Sequence, residues 1–269
     1  MAIYDCFQYF NEDHVLDLRF NILNEHVDFF VISESTKNHQ GLNKKLNFDI
    51  KKFKNFEKKI IHIVVEDTSD KIKKAHIGQN SLVERYQRNS IMSGLKNAHD
   101  EDLVIISDVD EIPDLNKLNQ FNKKNRYAVF VQKKFDYKIN LLNETEGDWF
   151  GSKMCLKKNL KSPQWLRDLK FKKYPFWRFD KIKDLQIIKD GGWHFSYLQK
   201  PNDLIKKISS FSHGEHNKPE FANLENINKK IKKNENIFGL DFSYKKIEVD
   251  DTFPKYITKN IEKFKEWII

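Results

Sequence analysis

The sequence has few of the residues on which several common protein classes depend. Its two cysteines, Cys6 and Cys155, cannot form a disulfide framework and match no metal-site spacing. It contains no G-x-G-x-x-G segment, P-loop or G-x-S-x-G segment, and neither cysteine lies in a nucleophile motif. The longest apolar run, residues 60–65, is interrupted by His62 and is too short to cross a bilayer. These absences argue against phosphate-cradling loops, nucleophilic serine chemistry and membrane-spanning segments.

Arginine is also scarce, although the formal net charge is +9. Only 6 of the 48 basic residues are arginine, and the lysines are spread along the whole chain. Nucleic-acid readers usually rely on arginine for bidentate contacts, so we interpret the charge as solvated surface and expect no nucleic-acid partner. Asp5 lies near the start and no long apolar region follows, so we expect no signal peptide and a cytoplasmic protein.

Apolar runs alternate with amphipathic segments in the first 115 residues. The runs predict strands over 2–9, 27–32, 60–65 and 103–106, and the amphipathic segments predict helices after Asn11 and Ser81. This order predicts an α/β fold with a mainly parallel sheet flanked by helices. At 269 residues we expect one domain, with halves at 1–115 and 116–269 and a helical C-terminal extension.

Three carboxylates follow the strand predicted over 103–106. Asp108, Asp110 and Glu111 come directly after its apolar residues, and Pro113 prevents the strand from continuing. Two hard oxygen donors at a strand tip are typical of a Mn²⁺ or Mg²⁺ site shared with a phosphate-bearing ligand. The alternative is ordinary helix capping, which is common for carboxylates after strands.

A second candidate segment follows the strand predicted over 185–188. Gly191 and Gly192 permit a tight turn before Trp193 and His194, and histidine is a suitable further ligand for such a cation. Arg88 and Lys45 are candidates for contacting a pyrophosphate, with ordinary surface charge as the alternative.

These segments together resemble glycosyltransferase family 17. The resemblance begins at residues 3–7 and 31–35 and is strongest at Asp-Val-Asp-Glu-Ile-Pro, residues 108–113, and at Gly-Gly-Trp-His-Phe-Ser, residues 191–196. It implies a fold of the GT-A type, a nucleotide-sugar donor (most simply a UDP-sugar), a glycan acceptor, a divalent metal and inversion at the anomeric carbon. The first half would bind the donor and the second half the acceptor. The resemblance also suggests N-acetylglucosamine as the transferred sugar.

The resemblance also implies roles for individual residues. Asp110 and His194 would ligate the metal, and Asp108 would reach the metal or the donor ribose. The further donor-contacting candidates are Glu34, Lys45, Arg88, Arg167 and Trp193.

No motif identifies the base that would deprotonate the acceptor hydroxyl. Glu215, Glu111 and Asp190 are the candidates, with Glu215 preferred. Three other hypotheses stay open: transfer to hydroxylated bases of nucleic acid, a non-catalytic nucleotide-sugar-binding protein, and a metal-dependent hydrolase, although the histidine clusters of such hydrolases are missing.

Overall fold

The computed structural model describes residues 1–38, 41–66, 81–172, 175–210 and 223–269. Its strands are β1 (Ile3–Gln8), β2 (Phe29–Ser35), β3 (Ile60–Val65), β4 (Leu103–Asp108), β5 (Glu111–Pro113), β6 (Tyr127–Asp136), β7 (Leu141–Asn143), β8 (Asp148–Leu156), β9 (Leu185–Ile188), β10 (Gly192–Ser196) and β11 (Tyr244–Lys246). Its α-helices are α1 (Asp13–Leu23), α2 (Ser81–Ser90), α3 (Pro163–Asp168), α4 (Pro201–Ser210), α5 (Leu224–Lys232), α6 (Lys255–Lys259) and α7 (Ile261–Phe264). Among these residues, no helix is long and apolar enough to cross a bilayer.

The first four strands form a parallel sheet in the order β3-β2-β1-β4. Their side chains alternate between two hydrophobic cores because successive residues of a strand point to opposite faces. On β4, Ile105 packs with the core on the α1 side, whereas Val104 and Ile106 pack with the core that also contains Leu95 and Leu166. The predicted α/β class, with helices on both faces of the sheet, is therefore confirmed.

The sheet continues through the second half of the chain, where the pairing changes. β8 lies antiparallel to β4 and to β6, and β7 and β11 continue the antiparallel edge. β9 and β10 run parallel to β6. The mainly parallel sheet that we predicted is therefore parallel without interruption over β1 to β4, whereas its second part combines parallel and antiparallel pairs, so the complete sheet is mixed. The continuous apolar runs of the first half indicated parallel strands, but they carried no information about the second half.

These directions bring several strand ends to one edge. β1 and β4 run the same way, and β6 shares their direction because it is antiparallel to β8, which is antiparallel to β4. β10 pairs with β6 in parallel and therefore has the same direction. The carboxyl ends of β1, β4, β6 and β10 therefore meet at the same edge, which is where open α/β sheets bind ligands.

The helices after residue 200, α4 to α7, pack in two places. α4 and α5 contribute Leu204, Ile208 and Ile227 to a third hydrophobic cluster with Tyr137 and Leu141. α6 lies beside α1, and the predicted helix over the tail is interrupted at Asn260, which leaves helical geometry with φ −127° and ψ 37°.

Candidate active site

A cleft of 460 Å³ opens at the edge where the four strand ends meet. Its lining includes charged side chains, which we call the charged wall, and large apolar side chains, which we call the apolar wall. The two adjoin where Trp149 packs on His194 and where Lys207 lies over Tyr197. The charged wall includes Arg88, Asp108, Asp110, His194 and Lys207. The apolar wall consists of Trp149, Tyr197, Phe238, Leu240 and Phe242.

Arg19 of α1 fixes the loop that carries the carboxylates. Its side chain is completely buried and forms a bidentate ion pair with Asp5 of β1, with N···O distances of 2.7 and 2.5 Å. The same guanidinium donates to the backbone carbonyls of Asp108, Val109 and Glu111 at 3.0, 3.1 and 2.8 Å. A planar cation with five donors can satisfy several carbonyls of one tight loop, so the Asp5–Arg19 pair sets the path of residues 108–111.

Asp108 is held by two arginines. Its carboxylate accepts from Arg88 at 3.0 Å and from Arg167 at 2.7 Å. Burial alone would raise the pKa of this carboxyl, but the guanidinium groups of Arg167 and Arg88 outweigh that effect and lower the pKa of Asp108 to about 2. Both oxygens are therefore engaged, and Asp108 joins Arg88, which lines the cleft, to Arg167, which does not.

Glu111 faces away from the cleft. It is completely buried and accepts from Arg167 at 2.9 and 2.7 Å, from the Trp149 indole N–H at 2.6 Å and from the Asp108 backbone N–H at 3.1 Å. A carboxylate with this many donors is poorly placed to accept a proton from a substrate. We infer that Glu111 positions Arg167, and the donors around it argue against its predicted role as the base.

Asp110 also lines the cleft and lies between a histidine and a lysine. One of its oxygens lies 3.6 Å from Nε2 of His194, and the other lies 3.6 Å from Nζ of Lys207. Lys207 also contacts Glu12 at 3.2 Å. Burial alone would raise the pKa of Asp110, but Lys207 and His194 hold it well below the usual value. Burial alone would lower the pKa of Lys207, whereas Glu12 and Asp110 raise it above its usual value.

Asp110 and His194 fit a cation that is shared with a ligand. In the described part of the chain, no cluster of three or more His, Cys, Asp or Glu side chains is arranged to hold a metal ion by itself. Mg²⁺-like ions are, however, commonly bound by one or two protein ligands together with substrate phosphates and water. The Nδ1 atom of His194 is buried and lacks a hydrogen-bond partner among the described residues, so no second-shell acceptor orients the ring there.

Other predicted site residues lie apart from this centre. Glu34 is completely buried and accepts from Lys44 Nζ at 2.8 Å and from the Asn47 backbone N–H at 2.6 Å. Burial would raise the pKa of Glu34, but hydrogen bonds from His62, Asn47 and Lys44 lower it. Glu34 therefore anchors the segment around residues 44–48, from which Lys44 lines the cleft while Lys45 lines a neighbouring cavity of 730 Å³.

Trp193 and Asp190 face another cavity, of 580 Å³. Trp193 points to the opposite face of β10 from His194, because adjacent residues of a strand alternate, and its indole donates to the Thr252 carbonyl at 3.1 Å. Asp190 is exposed, in a turn with φ +47°. The structure therefore does not bring these two residues to the cleft, contrary to expectation. Glu215 lies outside the described residues.

Three contributors to the site were not predicted from the sequence. Lys207 and Arg19 sit in helices where nothing in the local pattern sets them apart from other basic residues. Asp136, at the end of β6, lines the cleft and is 1% exposed. Its carboxylate accepts from Asn143 at 2.8 Å and from Tyr244 at 3.0 Å, and burial raises its pKa. Two features of the sequence could have indicated Arg19 and Asp136. Asp5, the partner of Arg19, is a charged residue inside an apolar strand, and Asp136 is a carboxylate at a strand end.

Comparison with known proteins identifies the class. A family model described as glycosyltransferase family 17 matches residues 1–147, which is more than half of the chain. The protein is a glycosyltransferase, and it belongs to glycosyltransferase family 17. This membership implies a nucleotide-sugar donor and a glycan acceptor. The matched region contains Asp108, Asp110 and Glu111 and ends before His194.

Two further comparisons add little. No curated protein matches this chain. Among solved structures, the crystal structure of HddC from Yersinia pseudotuberculosis complexed with GMP-PN aligns with a TM-score of 0.36 and 11% identity, covering 70% of this chain and 89% of that one. A likeness this distant carries no information about the ligand of the present protein.

Proposed function

We propose that the protein is a metal-dependent, inverting glycosyltransferase of the GT-A type that uses a nucleotide-sugar donor, most simply a UDP-sugar. The observation that carries this proposal is the placement of Asp110, His194 and Lys207 around one point of the cleft, with 3.6 Å from Asp110 to each of the other two. Two candidate metal ligands and a half-buried lysine, at the carboxyl ends of the strands, suit a diphosphate whose charge must be neutralised as it leaves.

Asp110 and His194 would hold the cation, Mn²⁺ or Mg²⁺, which supplies Lewis-acid stabilisation of the departing diphosphate when bound. Lys207 adds a point charge on the same side, and its pairing with Glu12 keeps the ammonium oriented before the donor arrives. Arg88 lines the same cleft, where Asp108, Glu84 and Gln164 accept from its terminal nitrogens and hold its guanidinium as a fixed positive charge at the proposed donor site. These groups are in place before the reaction and need little reorganisation during it.

The reaction is a single displacement. The acceptor oxygen forms a bond to the anomeric carbon as the bond from that carbon to the diphosphate oxygen breaks, and the acceptor proton passes to a carboxylate. The nucleoside diphosphate leaves with the bonding electrons toward the charged wall. Glu215 remains the proposed base from the sequence, and Asp136 is a second carboxylate of suitable position because it ends β6 on the cleft.

The acceptor would lie against the apolar wall. Tyr197 and Phe238 are in edge contact there, with ring centroids 6.0 Å apart, and Phe242 continues the surface. Apolar faces of sugar rings pack well on such aromatic side chains, so this wall supports a glycan acceptor. Transfer of N-acetylglucosamine is the specific reaction that the family resemblance suggests.

The proposal is tested by turnover of a panel of nucleotide sugars with Mn²⁺, with Mg²⁺ and with EDTA, beside Asp110→Ala. Metal-dependent turnover of one donor, abolished in the variant, would support the proposal and name the sugar. Turnover that survives EDTA would contradict the metal requirement. Absence of any interaction with UDP or GDP in the presence of Mn²⁺ would contradict the donor site itself.

A further inference from the structure

A short turn at residues 175–181 projects from the second hydrophobic core. Three backbone hydrogen bonds fix its shape: Arg178 N–H to the Pro175 carbonyl at 3.1 Å, Phe179 N–H to the Trp177 carbonyl at 3.0 Å, and Lys181 N–H to the Arg178 carbonyl at 3.3 Å. On either side of it, Phe171 and Ile182 pack into that core. The turn is therefore an anchored protrusion with a defined backbone.

Three large aromatic side chains occupy this turn and face solvent. Phe176, Trp177 and Phe179 are 78%, 61% and 88% exposed, and Phe179 is the most exposed large apolar side chain in the described part of the chain. Phe176 and Trp177 contact each other edge to face, with ring centroids 5.1 Å apart. Scattered single apolar residues on a surface are ordinary, whereas three within four positions form a patch that indicates a binding surface.

Basic residues surround the aromatic patch. Among the described residues between 169 and 184, five are basic, Lys170, Lys172, Arg178, Lys181 and Lys183, against Asp180 and Asp184. Arg178 and Lys181 both contact Asp180, and the Lys183 ammonium lies 5.2 Å from the centre of the Phe179 ring. The excess of positive charge lies on the same segment as the exposed rings.

We propose that this turn docks the protein on an anionic lipid bilayer, with Phe176, Trp177 and Phe179 inserted at the headgroup level. Tryptophan and phenylalanine partition favourably into that region, and basic side chains near it are attracted to anionic lipids. Stable binding at a bilayer surface requires both inserted apolar side chains and nearby basic residues, because either one alone gives only weak attachment. A second copy of this chain is the less suitable occupant, because two such basic surrounds would repel each other.

Docking here would leave the cleft open to solution. The segment returns to the sheet at Asp184, whose carbonyl accepts from the backbone N–H groups of Arg126 and Tyr127 where β6 begins. The cleft lies beyond the other end of β6, at Asp136. The docking surface is thus spatially separate from the glycosyltransferase site and can be tested without knowing the donor or the acceptor.

The test is co-sedimentation of the purified protein with vesicles of phosphatidylcholine alone, or of phosphatidylcholine containing about one-third phosphatidylglycerol, at low and high salt. We expect binding to the anionic vesicles that weakens with salt. The triple variant Phe176→Ser, Trp177→Ser and Phe179→Ser should bind at least about thirtyfold more weakly. Leu42→Ser is the matched control, because Leu42 is as exposed as Trp177, at 61%, and should change nothing.

Sedimentation velocity without vesicles tests whether the patch instead binds a second copy of the chain. Circular dichroism verifies that the triple variant is folded. Absence of wild-type binding to anionic vesicles would overturn the proposal, and so would equal binding by a folded triple variant. Equal, salt-independent binding to both kinds of vesicle would refute the anionic preference. Self-association that is lost in the triple variant, with no vesicle binding by either protein, would assign the patch to a second copy and also overturn the proposal.

Discussion

Replacing Arg19 tests how the carboxylate loop is held. In Arg19→Met, Asp5 becomes a buried carboxylate without its cation, and the carbonyls of Asp108, Val109 and Glu111 lose a shared donor. Removing one partner of a buried ion pair costs about 3–5 kcal/mol, and orphaned carbonyls add to that cost. We therefore expect the free energy of unfolding to fall by about 4 kcal/mol, a large fraction of the total for a typical domain.

The assay is urea unfolding followed by circular dichroism, with two comparison variants. Arg126→Met removes an ion pair with Asp184 that is half exposed, so it should cost less than about 1 kcal/mol. The double variant Asp5→Asn/Arg19→Met should recover at least about 1 kcal/mol relative to Arg19→Met, because the orphaned group is then neutral. If Arg19→Met were no more destabilising than Arg126→Met, the assigned role of the buried pair would be refuted.

Three further predictions concern individual side chains. Lys207→Met should weaken binding of a nucleoside diphosphate about tenfold or more. Lys206→Met, next to it on the exposed side of α4, should leave binding unchanged. Equal effects of the two variants would contradict a contact between Lys207 and the nucleotide. Burial lowers the pKa of Lys153 to about 8, below its unfolded value, so the unfolded chain binds more protons between about pH 8 and 10. Wild-type stability in urea should therefore rise through that window by roughly 1 kcal/mol per pH unit relative to Lys153→Met, and a flat difference would argue against the shift. If Glu215 is the base, Glu215→Gln should lower kcat at least about a hundredfold with donor binding intact. Near-normal turnover would exclude Glu215, and Asp136→Asn would then be the variant to test.

The first half of the fold was predictable because its sequence carries the relevant physical information. Strands buried on both faces need continuous apolar runs, and β2 and β4 have them, whereas β3 at the edge of the sheet is partly exposed. The position of Asp108 and Asp110 at a carboxyl strand end followed from the same pattern. The second half, with its parallel and antiparallel pairs, has no such pattern in its sequence, because each pairing depends on which distant strand lies alongside.

The roles of individual charged residues were harder to predict, since a carboxylate at a strand end can be used in several ways. Glu34 and Glu111 both lie at such ends, yet both are occupied by donors from distant segments. Trp193 and His194 are adjacent in sequence but point to opposite faces of β10. In the sequence nothing distinguishes Lys207 from the other lysines, and only the fold shows that its Nζ lies 3.6 Å from Asp110.

Calorimetric titration of UDP and GDP in the presence of Mn²⁺ tests the central claim most directly, because it needs neither the donor sugar nor the acceptor. It should be carried out on the wild type, on Asp110→Asn and on Asp190→Asn, which removes a carboxylate that faces the other cavity. We predict that one nucleotide binds to the wild type and to Asp190→Asn, and that Asp110→Asn binds it at least about tenfold more weakly. Unchanged binding by Asp110→Asn, or loss of binding only in Asp190→Asn, would contradict the assignment of the cleft.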